Sequence, residues 1–285
     1  MTNFNYMKRI LVPIDFSEDA VFALDVAVKI ANDLKAKLRL MHVRNGKQYH
    51  PEFSKDDSSF FVDNKDTSYM DFLIKKAKAN YHVENGEVDA KFREGNVVRE
   101  IKNQAHYDDT LLIVIGTHGV SGFEDRWIGS NAYRLICNAP CPILAVRKQM
   151  TFQGDQTVLL PIDAEKVSRR IVPQVAGFAK IIDAKILVVG ISRRFKWIIP
   201  GRINAYVRQV EKFLKKRTFI SFESFIVDGS DGPQNLLDYA HKKGATVIAL
   251  PVKRTINPFE SVFFPFANEL LNMSDLPILA VPEQE

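Results

Sequence analysis

The chain repeats its own pattern. KRILVPID at Lys8–Asp15 returns as QTVLLPID at Gln156–Asp163, and Asp183-Ala184-Lys185-Ile186 parallels Lys35–Leu38. CPILAV at Cys141–Val146 returns as LPILAV at Leu276–Val281, an offset of 135 residues that also aligns Ala105-His106 with Ala240-His241. Self-similarity at such a distance means that one folding unit has been duplicated. In 285 residues each copy has room for an independent core. We therefore expect one domain over 1–148 and a second over 156–285, with a short polar linker around Arg147–Asp155.

Within the first copy, short apolar runs alternate with helical periodicity. Ile10-Leu11-Val12, Lys37–Val43, Val88–Phe92, Leu111–Ile115 and Ile143–Val146 read as strands, and LLIVI at 111–115 is the continuous apolar run of a strand buried on both faces of a parallel sheet. Glu18–Leu34 behind an N-cap at Ser17, Ser68–Tyr81, Val97–Ala105 and Asn131–Cys137 read as helices. The order β-α-β-α-β-α-β-α-β predicts an α/β, Rossmann-like fold with an open parallel sheet. Residues 44–66, rich in Asp, Ser, Lys and Asn, interrupt the alternation and read as either a flap beside a site or a tolerated insertion.

The chemistry concentrates after the fourth strand. Gly116, Gly119 and Gly129-Ser130 follow LLIVI with the spacing G-x2-G-x9-G-S, and a helix begins at the last pair. Glycine lets a backbone approach a phosphate closely, and the first amides of a helix point outward with the positive end of its dipole behind them. Ser130 adds a hydroxyl and is placed as the N-cap. Asp15, just past the end of the first strand, lies at the sheet edge where ligands gather in open α/β folds.

The stretch from GTHGVSG to APCPILAV resembles the nucleotide-binding signature of the universal stress protein family, and KRILVPIDFSE resembles that family's first strand and loop. The resemblance implies two tandem adenine nucleotide alpha hydrolase-like domains. Their last strands would pair, Ile143–Val146 against Ile278–Val281, making an intramolecular pseudo-dimer that can dimerise again. It also implies a site for ATP or another adenine nucleotide: Pro13 and Asp15 against the adenosine, the Val43 backbone against the adenine, Ile115 and Gly116 along the ribose. His118, Gly119, Gly129, Ser130 and Asn131 would hold the phosphates, with Mg2+ bridging their oxygens, although no Asp or Glu is clearly placed as a metal ligand.

The second copy has lost this signature. At the 135-residue offset Gly116 becomes Pro251, Gly119 becomes Arg254, Gly129 becomes Phe264 and Ser130 becomes Pro265. Two prolines remove amides that a phosphate needs. The replaced loop carries Phe259, Phe263, Phe264 and Phe266, which would fill the vacated pocket, form a dimer contact or belong to an ordinary core.

Other chemistries find less support. The signature loop has His118 and Arg126 but no P-loop lysine, and Gly119–Gly122 misses the spacing of a nucleophile elbow, so no residue is assigned a catalytic role. A nucleotide-binding stress sensor with at most slow hydrolysis is expected; the alternatives are a scaffold that binds no nucleotide or a stress protein that binds another small molecule, and a weak ATPase. Cys137 and Cys141 make half a zinc site at best and read as buried thiols, so no metal site is assigned. The net charge of +5 is small for a nucleic-acid partner. Arg193–Trp197 reads as a solvated loop and Arg202–Arg217 as an amphipathic surface helix. No apolar run reaches the ~18 residues of a membrane span, and MTNFNYMKRI is too polar for a signal peptide, so a cytoplasmic location is expected.

Overall fold

The computed structural model describes residues 8–44, 58–117, 128–147, 150, 154–192, 200–217, 220–228, 232–252 and 265–283. The first half contains β1 (Arg9–Pro13), α1 (Glu18–Leu34), β2 (Lys37–Arg44), α2 (Ser58–Asn80), β3 (Val88–Glu94), α3 (Val97–Tyr107), β4 (Thr110–Gly116), α4 (Ser130–Asn138) and β5 (Ile143–Val146). The second contains β6 (Thr157–Ile162), α5 (Val167–Arg170), α6 (Val172–Ile181), β7 (Lys185–Ser192), α7 (Pro200–Arg217), β8 (Phe222–Asp228), α8 (Pro233–Lys242), β9 (Val247–Val252), α9 (Pro265–Met273) and β10 (Ile278–Pro282). Helices α4 and α9 begin at Ser130 and Pro265, the 135-residue offset read from the sequence.

The ten strands among the described residues join one sheet in the order β3-β2-β1-β4-β5-β10-β9-β6-β7-β8. Neighbours are parallel except at the centre, where β5 and β10 run antiparallel with Ile143 opposite Ala280, Leu144 opposite Leu279 and Ala145 opposite Ile278. Each half thus uses the other to cover the edge of its last strand, an edge that would otherwise invite pairing with another chain. Two apolar layers sandwich the sheet and cross this seam: Leu24, Leu40, Leu73, Leu160 and Val188 lie in one, Leu11, Ile113, Leu135, Ile248 and Leu270 in the other.

Local chemistry sets the element boundaries. The Ser17 hydroxyl accepts from the Ala20 amide to start α1, and Lys35 in the left-handed region ends it. Asn96 accepts from the Arg99 amide to start α3. Helix α2 begins at Ser58, ten residues before the start expected from periodicity, so part of the supposed irregular connection is helical. SSFFVDNKDT has no apolar stripe of helical period; only later do Met70, Leu73 and Ala77 bury one face. The counterpart of α1 in the second half is split at Ile171, because Pro173 lacks the amide that would continue the helix from the preceding turn. Helix α7 buries Ile203, Val207, Val210 and Leu214 and keeps Arg202, Arg208, Lys212, Lys215 and Lys216 outward, as expected of a surface helix.

At the N-terminal edge of the first half, Asp108 anchors an ion network. Its side chain is 4% exposed and accepts from Arg9 at 3.1 Å, from Arg39 through both oxygens at 2.8 Å and from Gln104 at 2.8 Å. Asp89 also pairs with Arg39, and its hydrogen bond is the main cause raising the Arg39 guanidinium pKa above its ordinary value.

Cys137 and Cys141 are free and buried. Burial pushes the Cys137 thiol up to about 11, partly offset by a hydrogen bond with Tyr133. The thiolate is the reactive form. Alkylation by iodoacetamide at pH 8 should therefore leave Cys137 unmodified in the native protein and label it rapidly in urea, which peptide mass mapping would read. No helix among the described residues is long and apolar enough to cross a membrane.

Candidate functional site

The strand order reverses between β1 and β4: β1, β2 and β3 extend one way, β4 and β5 the other. Such a switch point opens a crevice beyond the C-terminal ends of the strands. Here the pairing of β1 with β4 ends at Leu11 opposite Ile113, while the two strands continue to Pro13 and Gly116. Pro13, Asp15, Val43, Ile115, Gly116, Gly129 and Ser130 all belong to segments at this edge.

Beyond Pro13 the Ile14 amide donates to the Met41 carbonyl at 2.8 Å, the last rung between β1 and β2. Backbone groups of successive strand residues alternate between the two neighbouring strands. Met41 faces β1, and Arg44, whose carbonyl accepts from Gly95 at 2.9 Å, faces β3. Val43 therefore directs its amide and carbonyl past the end of β1, toward the crevice.

Asp15 is exposed, and one of its oxygens accepts from the Ser17 amide at 3.0 Å and the Ser17 hydroxyl at 2.6 Å. The same turn recurs in the second half, where Asp163 accepts from the Glu165 amide at 3.0 Å. Since that half lacks the glycine signature, the carboxylate shapes this loop whether or not a ligand is bound.

Ile115 is 3% exposed, with its side chain in the apolar layer, so only its backbone can meet a ligand. At Gly116 a Cβ would lie 2.6 Å from the Asp19 carbonyl carbon and 2.7 Å from the Ala20 nitrogen. The first turn of α1 rests on this glycine, a packing reason that the spacing alone did not reveal. Because the obstacle is backbone, Gly116→Ala should destabilise the first half by about 2 kcal/mol, a cost typical of overpacking. Chemical denaturation would show it as a lower midpoint with an unchanged slope.

The Gly129 amide donates to the Thr117 carbonyl at 2.8 Å, and the Thr117 amide to the Val146 carbonyl at 3.1 Å, which ties the start of α4 to the ends of β4 and β5. Ser130 was expected as the N-cap; the cap is instead Gly129, with extended ψ of 144°, and Ser130 is the first helical residue. No side chain caps α4, and its first turn has no acidic residue. Ser130 and Asn131 are exposed there. A glycine N-cap leaves the first amides of a helix accessible to an external anion.

His118, Gly119 and Arg126 lie outside the described residues, as do Arg193–Trp197, Arg254, Phe259, Phe263 and Phe264. In the second half the position of Ser130 is held by Pro265, the first residue of α9, and that of Gly116 by Pro251 within β9. Proline has no N–H to offer at the start of α9. Among the described residues no cluster of three or more His, Cys, Asp or Glu is arranged to hold a metal ion.

Residues 7–147 match the model of the universal stress protein family. Universal stress protein YxiE of Bacillus subtilis is 28% identical over 150 residues, covering 49% of this chain and 99% of its own length. A Staphylococcus saprophyticus protein named as a universal stress protein is 30% identical over 145 residues, 50% of this chain and 84% of its own. In three dimensions, a universal stress protein from Archaeoglobus fulgidus superposes with a TM-score of 0.77 at 17% identity, over 97% of this chain and 98% of that one. The shared fold therefore spans both halves, whereas the family model covers the first.

Proposed function

The chain belongs to the universal stress protein family, and from that premise we propose that its first half binds one adenine nucleotide, ATP being the expected ligand, while its second half is a silent copy. The observation that carries this reading is the convergence on one crevice of the inward-turned Val43 backbone, the Asp15 loop and the glycine-capped start of α4. The adenine would lie against Val43 and Pro13, the ribose along Asp15 and the Ile115–Gly116 backbone, and the phosphates at Gly129, Ser130 and Asn131. His118 and Gly119 would complete the phosphate end. Mg2+ would be held by phosphate oxygens and water, since no carboxylate cluster among the described residues is arranged for it.

With phosphates at a helix N-terminus and no lysine assigned to the γ-phosphate, the arrangement favours binding over phosphoryl transfer. The protein would act as a sensor in a stress response, with hydrolysis slow at most. On this reading the second half, joined through the antiparallel β5–β10 seam, would stand in for a partner subunit. To test the reading, the protein is purified without added ligand and denatured, and released small molecules are identified by mass spectrometry. Adenine nucleotide near one equivalent per chain supports the proposal. Stoichiometric release of a different small molecule contradicts it.

A further inference from the structure

The loop carrying Pro13 and Asp15 is gripped by a residue outside the set derived above. His42 Nδ1 lies 2.7 Å from the Ile14 carbonyl oxygen. A carbonyl only accepts, so this nitrogen must carry the hydrogen, which fixes either the Nδ1–H tautomer or the doubly protonated ring. The next residue but one, Phe16, sits at φ 65°, a left-handed conformation that a bulky side chain adopts only when its surroundings impose it. Its ring packs on the His42 ring at 4.6 Å and meets Tyr69 of α2 edge-on at 5.5 Å. Phe92 of β3 meets the His42 ring edge-on at 6.1 Å.

Asp15 is thus held from both sides, by the hydrogen bond on Ile14 before it and the ring stack on Phe16 after it. His42 also immediately precedes Val43, and strand alternation puts its side chain on the opposite face of β2. One residue links the loop proposed to meet the sugar to the backbone proposed to read the base.

We propose that His42 is the positioning residue of the nucleotide site: it does not touch the nucleotide, and its Nδ1–H bond to Ile14 fixes the spacing between the Asp15 loop and the Val43 backbone. This rests on the adenine-nucleotide reading of the same crevice. Because the spacing governs the nucleoside end, loss of the bond weakens AMP, ADP and ATP by the same factor.

The test is calorimetric titration of the full chain with each of the three nucleotides, using wild type, His42→Phe and His42→Asn, together with 15N NMR of the wild-type imidazole. His42→Phe keeps a ring against Phe16 but has no donor, and should bind all three about five- to tenfold more weakly, the worth of one hydrogen bond. His42→Asn offers an amide N–H near the Nδ1 position and should return to within about twofold of wild type. The NMR should show Nδ1 protonated.

Unchanged affinity in His42→Phe, a loss that grows with each added phosphate, an Asn variant no better than the Phe variant, or an unprotonated Nδ1 would each overturn the assignment. If His42→Phe does not fold, the Asn variant and the tautomer still decide. Wild-type protein that binds none of the three nucleotides overturns this inference and the proposed function together. Binding by wild type with an unaffected His42→Phe overturns this one alone.

Discussion

Gly129→Asp is expected to weaken ATP binding at least a hundredfold while leaving the protein as stable as before, or slightly more so. The φ of Gly129 is −55°, open to any residue, and a Cβ there would meet only the Thr117 carbonyl oxygen at 3.2 Å, a contact relieved by a small shift. Aspartate is among the best N-cap residues, so its carboxylate would occupy the amides that α4 otherwise leaves open and gain a few tenths of a kcal/mol over glycine. Those are the amides assigned to the phosphates. A fixed negative charge in their place removes the favourable helix-end interaction and repels the incoming anion, a combined loss of about 3 kcal/mol, or roughly two orders of magnitude in affinity. Equilibrium binding and thermal unfolding on the same sample separate this outcome from simple misfolding, because the first should collapse and the second should hold.

The opposite pattern is expected of Asp108→Ala: a large loss of stability, with the crevice untouched. Asp108 lies at the N-terminal edge of the sheet, away from the strand ends that form the site, and accepts hydrogen bonds from Arg9, Arg39 and Gln104 while almost wholly buried. Removing one partner from a buried ion network strands the remaining charges and costs about 3–5 kcal/mol. Asp89 retains its contact with Arg39, so the lower end of that range is expected. Asp108→Asn keeps an acceptor oxygen and should lose about half as much. Urea unfolding followed by circular dichroism measures both. Among the described residues, the equivalent edge of the second half is held by different contacts. Lys243 there packs over Phe225 at 4.1 Å, and Glu223 pairs with Lys185, so unfolding of the first half should shift selectively.

The sequence made the fold legible because its strongest signals are repeated and periodic. LLIVI and ILAV announce buried parallel strands, and the recurrence of CPILAV as LPILAV locates the two strands that meet at β5 and β10. Helix α1 has the bounds read from its cap and apolar face, Glu18–Leu34. Helix α2 starts ten residues before the periodicity predicts because its first three turns carry no apolar stripe.

At the candidate site, residue types were legible and geometry was not. Gly129 is the cap instead of Ser130, since strand geometry at Thr117 draws its amide back toward β4. Gly116 is demanded by the backbone of α1, a contact between residues nearly a hundred positions apart that no local pattern encodes. His42 looked like an ordinary strand residue, and only the register of β2 against the end of β1 brings its ring to the Ile14 carbonyl.

The central claim is that one of two duplicated halves retains a nucleotide site. Calorimetric titration of ATP with Mg2+ into the full-length chain tests it most directly, because the stoichiometry counts working halves. Saturation at one nucleotide per chain, abolished by Gly129→Asp, is the expected result. A titration without heat in wild type at several temperatures, or saturation at two equivalent sites, would contradict the account.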